Sequence, residues 1–382
     1  METELDPEAL MAQAAAAADL SHWGGRRFVD GLAAFCEAVN RDSELSPAGR
    51  QAARDQVLRL LGERLRLYRD RADHPGIAAE TIRRPIILTG LPRTGSTLLH
   101  GMLARDPRAR SISTWEHQQL SPPPRAETYH TDPRIARSRA ALSAVTPDAL
   151  RIHSVGATLP DECNFVTALA FQSINLHSRQ YWSSYVDWYL AADDAAPFEL
   201  HRHVLQHLQC FCRRDWWVLK SPPHIFHLDR IFATYPDARV VFLHRDPGVA
   251  IPSIADLFAG GRRKAYADFD SRRAGRDSLR WWRAGIDRAL ASRARDGRPG
   301  RYFDVSYDAF VAAPMPTVRA IYDWLGEDLP RDAAAPMERF LSDNPKGKFG
   351  AHRYTAEAHG LDASAIRRDW SDYIEAFDVP VG

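Results

Sequence analysis

The sequence predicts an α/β fold, in which a parallel β-sheet lies between helices and a helical segment precedes the sheet. Three observations support this prediction. Short apolar runs that end in a turn, such as PIILTG at 85–90, are typical of buried parallel strands. Helical periodicity follows, as in STLLHGMLA at 96–104. The first 80 residues are predicted to be helical, and the chain shows no internal repeat or low-complexity segment.

The chain is predicted to consist of a helical N-terminal extension, residues 1–80, and one α/β domain, residues 81–382. The extension contains QAARDQVLRLLGERLRLYRDRA, which places leucines at helical spacing against an arginine and glutamate face. The segment at about 120–215 begins with three consecutive prolines, which exclude helix and central strand there, and continues as aromatic-rich helix.

Three further apolar runs predict the rest of the sheet. WWVLKS (216–221) and ARVVFLHR (238–245) flank the helical HIFHLDRIFATY (224–235), which together predict a βαβ unit. RYFDVSY (301–307) predicts another strand. The ligand contacts of such a sheet are expected at the carboxyl ends of its strands.

Composition excludes several classes of protein. The net charge is +1, so nucleic acid is not expected as the main partner. No stretch approaches the roughly 18 apolar residues of a membrane span, and the acidic N-terminus does not resemble a secretory signal. The four cysteines show neither a disulfide framework nor a paired metal spacing, which indicates buried thiols in a reducing, cytoplasmic compartment.

The stretch PIILTGLPRTGSTLLH (85–100) departs from the nucleotide-binding pattern G-x-x-x-x-G-K-[ST] at one position. Gly90 and Gly95 have the required separation, and Thr97 supplies the closing hydroxyl. Ser96 stands where the pattern has its lysine. A glycine loop that opens a helix directs backbone N–H groups at an anion, whereas the lysine is needed to reach β- and γ-phosphates.

The strand ends also lack an evident magnesium ligand. The two middle strands end in basic or neutral residues, and the weak exception, Asp246, is followed at once by Pro247. Arg93 lies inside the loop and can fork onto a tetrahedral anion. The loop is therefore predicted to bind a phosphate group without a metal ion.

Two stretches in order, LPRTGSTLLHGMLARDP (91–107) and ARVVFLHRDPGVAIPS (238–253), resemble sulfotransferases that use 3′-phosphoadenosine 5′-phosphosulfate (PAPS). The resemblance is to the bacterial and tyrosylprotein-like branch. It runs from about Ile86 to Ser253, weakens toward Tyr354 and is absent from the first 80 residues. It implies a P-loop-type sheet and metal-independent, in-line transfer of a sulfuryl group to a hydroxyl, with adenosine 3′,5′-bisphosphate as product.

The resemblance also implies which residues bind the donor. The second stretch supplies Arg245 and Ser253 to the 3′-phosphate. The loop NPKGKFGAHRYT (344–355) resembles a segment that closes over the adenosine, and adds Lys346, Gly347 and Tyr354. The first stretch wraps the 5′-phosphosulfate with Gly90, Pro92, Arg93, Thr94, Gly95, Ser96 and Thr97.

Two cations are expected to act on the transferred group. Lys220 follows a predicted strand, in a chain whose only other lysines are at 264, 346 and 348. A lysine here suggests that a compact point charge is needed, and the resemblance implies contact with the bridging oxygen of the donor. Arg93 is counted as catalytic because of its position in the anion-binding loop.

A base must take the proton of the acceptor hydroxyl. The resemblance implies a glutamate after the first helix and its Asp-Pro turn, which is Glu116 here. A carboxyl group partly desolvated beside Trp115 would have a raised pKa, which suits a base. The sequence leaves four rivals open: His117, His153, His224 and Glu162.

The sequence constrains the chemical class of the acceptor less than it constrains the donor. The aromatic helical insertion fits a small molecule, a lipid or a saccharide. The oligomeric state is open, a homodimer included. A second hypothesis is a divergent P-loop kinase or nucleotide-binding regulator, which would need ATP and Mg²⁺. A third, a non-enzymatic scaffold, is disfavoured because Arg93, Lys220, Arg245 and a candidate base occur together.

Overall fold

A computed structural model describes residues 4–42, 44–143, 156–177, 183–345 and 355–382. In this part of the chain five parallel strands form one sheet in the order β2-β3-β1-β4-β5. The strands are β1 (Ile86–Gly90), β2 (Ala109–Arg110), β3 (Trp216–Lys220), β4 (Arg239–His244) and β5 (Tyr302–Ser306).

Helices precede, connect and follow the strands. Before β1 lie α1 (Pro7–Ala18), α2 (Val29–Arg41) and α3 (Pro47–Asp73). Between β1 and β3 lie α4 (Ser96–Leu103), α5 (Thr114–Gln118), α6 (Pro133–Leu142), α7 (Asn164–Thr167), α8 (Ile174–His177), α9 (Ser183–Ala191) and α10 (Ala195–Gln209). From β3 onward lie α11 (Leu228–Thr234), α12 (Pro247–Arg262), α13 (Ser271–Asp296), α14 (Tyr307–Ala312), α15 (Pro314–Leu325), α16 (Arg331–Asp343), α17 (Ala363–Asp369) and α18 (Ser371–Ala376).

The sheet is covered on both faces. Alternate residues of a strand point to opposite faces, and every residue of β1 and β3 is buried. Ile87, Leu219 and Phe242 join one hydrophobic cluster, whereas Leu88 and Val218 join the other. Continuous apolar runs are therefore the expected strand sequences, because neither face meets water.

The N-terminal helices share their core with the sheet. Residues of α1, α2 and α3 belong to the same cluster as Ile87 of β1. Arg64 of α3 strengthens this packing, since its guanidinium donates to the carbonyl oxygens of Trp23 (2.9 Å) and Leu169 (3.2 Å). It also lies 4.1 Å from the ring centre of Phe28. The helical prediction for this region is confirmed, and the division into domains at residue 80 stays a prediction.

Local sequence explains where the two longest helices begin. Ser46 accepts a hydrogen bond from the N–H of Gly49 (3.0 Å), and Pro47 occupies the first turn of α3, where its missing N–H is not needed. Asp270 caps α13 in the same way, and Gly297 ends it in the left-handed conformation.

The structure confirms the predicted strands and shows two features of the sheet that the sequence did not predict. The apolar runs at 85–90, 216–221, 238–245 and 301–307 form β1, β3, β4 and β5. The two-residue edge strand β2 has no sequence signal of its own, since its pairing depends on β3. The predicted βαβ unit is present, but β1 lies between its two strands.

No helix in the described parts of the chain combines the length and the apolarity needed to cross a membrane.

We predict that Gly90→Ala will destabilise the fold at the end of β1. Gly90 has φ 131°, and a Cβ atom there would lie 2.2 Å from the carbonyl oxygen of Leu243 in β4. The substitution should lower the free energy of unfolding by about 2 kcal/mol or more, measured by urea denaturation. Gly76→Ala is the matched control, because no atom lies within 4 Å of its Cβ position. Equal effects of the two substitutions would contradict the argument.

Candidate active site

The glycine loop connects β1 to α4 at the carboxyl edge of the sheet. Its turn requires left-handed backbone at Arg93 (φ 69°) and Gly95 (φ 79°). Thr94 is buried and braces the turn by donating to the carbonyl oxygen of Leu91 (2.7 Å). Gly95 provides no side-chain cap to α4, so the first amides of this helix remain available to an anion.

Arg245 and Ser253, both predicted to bind a 3′-phosphate, lie against Arg93 of the loop. The Arg93 Nε donates to the hydroxyl of Ser253 (3.1 Å), and Nη1 of Arg245 donates to the carbonyl oxygen of Arg93 (2.5 Å). The Arg245 guanidinium also stacks on Tyr307 of α14, 3.9 Å from the ring centre. The fold thus brings the two sequence motifs together at one place.

Asp246, the weak candidate for a magnesium ligand, has other partners. Its carboxylate pairs with Arg367 of α17 (2.6 Å) and accepts from the N–H of Gly248 (2.8 Å), which caps α12. Asp246 is therefore a buried N-cap held in an ion pair with a partly exposed arginine. It does not neutralise Arg245, although the two residues are adjacent in sequence.

Lys220 ends β3 beside the start of α4. Its ammonium donates to the hydroxyl of Thr97 (3.3 Å) and to Oε1 of Glu162 (2.5 Å). The side chain of Lys220 is 2% exposed and that of Glu162 is 15% exposed. The other oxygen of Glu162 accepts from the amide of Asn164 (2.8 Å). A buried cation, a carboxylate with some access and the anion loop therefore meet at one strand end.

Glu116 has surroundings that differ from those expected of a base. It has no exposed surface, and it forms an ion pair with the fully buried Arg110. Its Oε2 accepts from the N–H of Ser113 (2.8 Å), completing a capping box, and from the hydroxyl of Tyr129 (3.2 Å). Glu116 therefore holds the start of α5 with both of its oxygens hydrogen-bonded, and its role as the base stays a prediction.

Two of the other rival candidates for the base lie in different environments. His117 bonds through Nε2 to Asp161 (2.9 Å) and stacks on Phe165, with ring centres 4.4 Å apart. His224 is buried in the turn after β3. Outside the described residues lie His153 and the three predicted adenosine contacts Lys346, Gly347 and Tyr354.

A cavity of about 760 Å³ lies between α3 and the helices that follow β2. This volume is in the usual range for small-molecule sites. Its lining combines apolar and polar side chains, among them Leu60, Trp115, His117, Arg134, Phe165 and Leu169.

The cavity and Lys220 are linked by one short segment, residues 161–165. Asp161 pairs with His117 on the cavity side and also accepts from the N–H of Glu162 (2.8 Å), whose carboxylate contacts Lys220. Phe165, one helical turn from Glu162, is 36% exposed and lines the cavity.

Sequence reasoning did not identify Tyr307 or Asp161 as parts of the site. Tyr307 ends the predicted strand RYFDVSY, so its position at a strand end was a usable signal. No signal in the sequence marked Asp161, because its role depends on its contact with His117, which is 44 residues away in the chain.

A protein-family model described as the sulfotransferase family matches residues 85–331. The match spans the glycine loop, Lys220, Arg245 and Ser253, and covers more than half of the chain. The chain belongs to the sulfotransferase family. This sulfotransferase therefore carries its anion loop and its strand-end lysine within the segment that defines the family, and the kinase and scaffold hypotheses are set aside.

Three similar proteins come from mycobacteria. The omega-hydroxy-beta-dihydromenaquinone-9 sulfotransferase Stf3 of Mycobacterium bovis is 25% identical over 314 residues, which cover 77% of this chain and 74% of Stf3. The crystal structure of sulfotransferase STF9 from Mycobacterium avium matches with a TM-score of 0.90 and 29% identity, covering 98% of this chain and 97% of STF9. STF1 from Mycobacterium tuberculosis matches with a TM-score of 0.86 and 27% identity, covering 97% of this chain and all of STF1.

The structural matches show that this sulfotransferase shares more than the family segment. Because STF9 and STF1 align over nearly the whole chain, the alignment includes the N-terminal helices, where the sequence motifs show no resemblance. The predicted α/β fold with a parallel sheet is confirmed, and the protein is a transferase enzyme.

We predict that Glu116→Ala will cost stability, because it leaves Arg110 buried without its partner. The free energy of unfolding should fall by about 3 kcal/mol or more, the usual cost of breaking a buried pair. Glu338→Ala, at an exposed position, is the control and should change it by less than about 0.5 kcal/mol. If Glu116→Ala instead unfolds like the native protein and loses turnover, the base role returns to Glu116.

Proposed function

We propose that this sulfotransferase transfers the sulfuryl group of PAPS, in line and without a metal ion, to the hydroxyl of a lipid-like or other small acceptor. The observation that carries the proposal is the contact of Lys220 with both Thr97 and Glu162. It places a cation between an anion-binding loop and a carboxylate, which are the groups that sulfuryl transfer needs.

The two ends of the donor would occupy the two cationic parts of the site. The loop from Gly90 to Thr97 and the first amides of α4 would surround the 5′-phosphosulfate. Arg245 and Ser253 would bind the 3′-phosphate, Arg245 with a guanidinium already oriented by Tyr307. The contact between Arg93 and Ser253 supports one continuous donor site, since it joins the two halves.

The proposed chemistry balances without a further reactant. The acceptor oxygen forms a bond to sulfur while the bond between sulfur and the bridging oxygen breaks. Adenosine 3′,5′-bisphosphate leaves with the electron pair, and the ammonium of Lys220 stabilises the charge that develops on its oxygen. Arg93 and the loop amides stabilise the sulfuryl oxygens. The acceptor proton passes to a carboxylate.

We assign the base to Glu162, one of the rivals left open by the sequence. Its carboxylate is beside Lys220 and partly accessible, whereas Glu116 has no exposed surface. Entry of the phosphosulfate would draw the Lys220 ammonium toward the donor and free Oε1 of Glu162 for the acceptor hydroxyl. His117, held by Asp161 at the cavity, is the remaining candidate within the described residues.

The acceptor is proposed to bind in the 760 Å³ cavity. Leu60, Leu169 and the exposed ring of Phe165 suit an apolar body, while Arg134 and His117 suit a polar end. The name of Stf3, a sulfotransferase of a hydroxylated dihydromenaquinone, supports a lipid-like alcohol over a saccharide. The four free thiols support a reducing, cytoplasmic location.

We predict that adenosine 3′,5′-bisphosphate will bind tightly in the presence of EDTA. Adenosine 5′-phosphate should bind far more weakly, because it lacks the anion that Arg245 and Ser253 would hold. Arg245→Ala should weaken binding of the bisphosphate by about 30-fold, equivalent to about 2 kcal/mol, as measured by calorimetry. Arg214→Ala, at an exposed position, is the control. Equal affinity of the native protein for the two nucleotides would remove the donor assignment.

We predict that Glu162→Gln will lower kcat by about 100-fold or more with an unactivated alcohol, while donor affinity changes little. Acidic phenols, which ionise unaided, should partly restore its turnover. Lys220→Ala should remain slow with those phenols, because it lacks charge stabilisation at the leaving oxygen. Glu127→Gln, at an exposed position, is the control. Near-normal turnover of Glu162→Gln with the alcohol would move the role to His117, which His117→Asn then tests.

A further inference from the structure

Three potential metal ligands lie close together near Lys220 and Glu162, the pair proposed to act in the transfer (the catalytic pair). They are Cys163 at the start of α7, His201 of α10 and His224 in the turn that follows β3. One ligand atom from each, the thiol sulfur and an imidazole nitrogen of each histidine, lies within 4.8 Å of the other two. All three side chains are buried, and none takes part in the proposed transfer.

Both histidines carry a nitrogen that the surrounding protein leaves unsatisfied. The Nε2 atoms of His201 and His224 have no hydrogen-bond partner among the described residues, although each side chain is more than nine-tenths buried. A buried polar atom without a partner costs free energy, and such atoms call for a ligand or an ordered water.

The opposite edge of the His201 ring has a hydroxyl partner. Its Nδ1 lies 2.7 Å from the Tyr235 hydroxyl oxygen. The tautomer in which Nδ1–H donates to this oxygen leaves the lone pair of Nε2 free, the arrangement that metal-binding histidines commonly have.

We propose that Cys163, His201 and His224 bind one Zn²⁺ ion. One sulfur and two imidazole nitrogens are a usual donor set for this ion. Ligands at normal zinc distances would lie roughly 3.5 Å from each other, so the side chains would approach by about 1 Å. Binding replaces the S–H bond of Cys163 with a zinc–thiolate bond and releases one proton to solvent.

A water molecule would complete the four-coordinate site. A cavity of about 10 Å³ that borders His224 has room for about one water. The three ligands are buried and none takes part in the proposed transfer, so the proposed role of the ion is to hold these segments in position.

The proposed ion lies where it would position the catalytic pair. Cys163 directly follows Glu162, and its N–H donates to the carbonyl oxygen of Lys220 (2.9 Å). His224 is in the turn that begins with Ser221, the residue after Lys220, and donates its N–H to the Ser221 carbonyl oxygen (3.1 Å). A zinc ion would tie these two segments together directly beside the contact between Glu162 and Lys220.

The experiment measures metal in the purified, tag-free chain by inductively coupled plasma mass spectrometry after dialysis with Zn²⁺ and then without it. About one zinc per chain should remain in the native protein and in Cys36→Ala, which removes another buried thiol. In Cys163→Ala the zinc should fall by at least about tenfold. The assay needs no acceptor or donor, so its result is independent of the proposed transfer.

Substitution with Co²⁺ tests the ligands directly and covers the case in which Cys163→Ala fails to fold. A sulfur-to-cobalt charge-transfer band should appear in the native protein and be lost in Cys163→Ser. In His224→Asn the metal content should fall while the protein stays folded by circular dichroism. Equal zinc in the native protein and Cys163→Ala, or a native protein that retains no zinc and shows no cobalt–sulfur band, would overturn the proposal.

Discussion

The contact between Lys220 and Glu162 is the interaction on which the site depends. An ammonium that is 2% exposed requires a partner, since an unpaired charge at this depth is strongly unfavourable. Glu162 supplies that partner, and the hydroxyl of Thr97 connects the pair to the anion loop. In the proposed reaction an incoming phosphosulfate would give the same cation a new partner, so binding of the donor would be coupled to release of the carboxylate.

Parallel pairing is what brings these groups together. Leu88 of β1 is in register with Lys220 of β3, and Gly90 of β1 with Leu243 of β4. The carboxyl ends of the central strands therefore meet at one edge, where the loop, the lysine and Arg245 follow them in the chain. Close approach of β1 and β4 also explains why position 90 accepts only glycine without strain.

Two buried carboxylates in this protein show how surroundings decide a role. Glu116 and Glu162 each pair with a buried cation, Arg110 and Lys220 respectively. Glu116 in addition accepts from a backbone N–H and a tyrosine hydroxyl and has no exposed surface, which suits it to hold a helix start. Glu162 keeps partial access beside the donor loop, which suits it to exchange a proton.

The sequence by itself determined the fold class and the four longer strands, and it predicts the residues of the proposed donor site. Apolar runs that end in glycine, lysine or arginine are local signals, and they need no knowledge of the rest of the chain. Only the tertiary structure distinguishes the surroundings of Glu162 from those of Glu116, because the partner of Glu162, Lys220, lies 58 residues away in the chain. The same holds for Cys163, His201 and His224, which approach each other only because α7, α10 and the turn after β3 pack together. Spacing along the chain cannot reveal such a cluster, since packing between elements sets its distances.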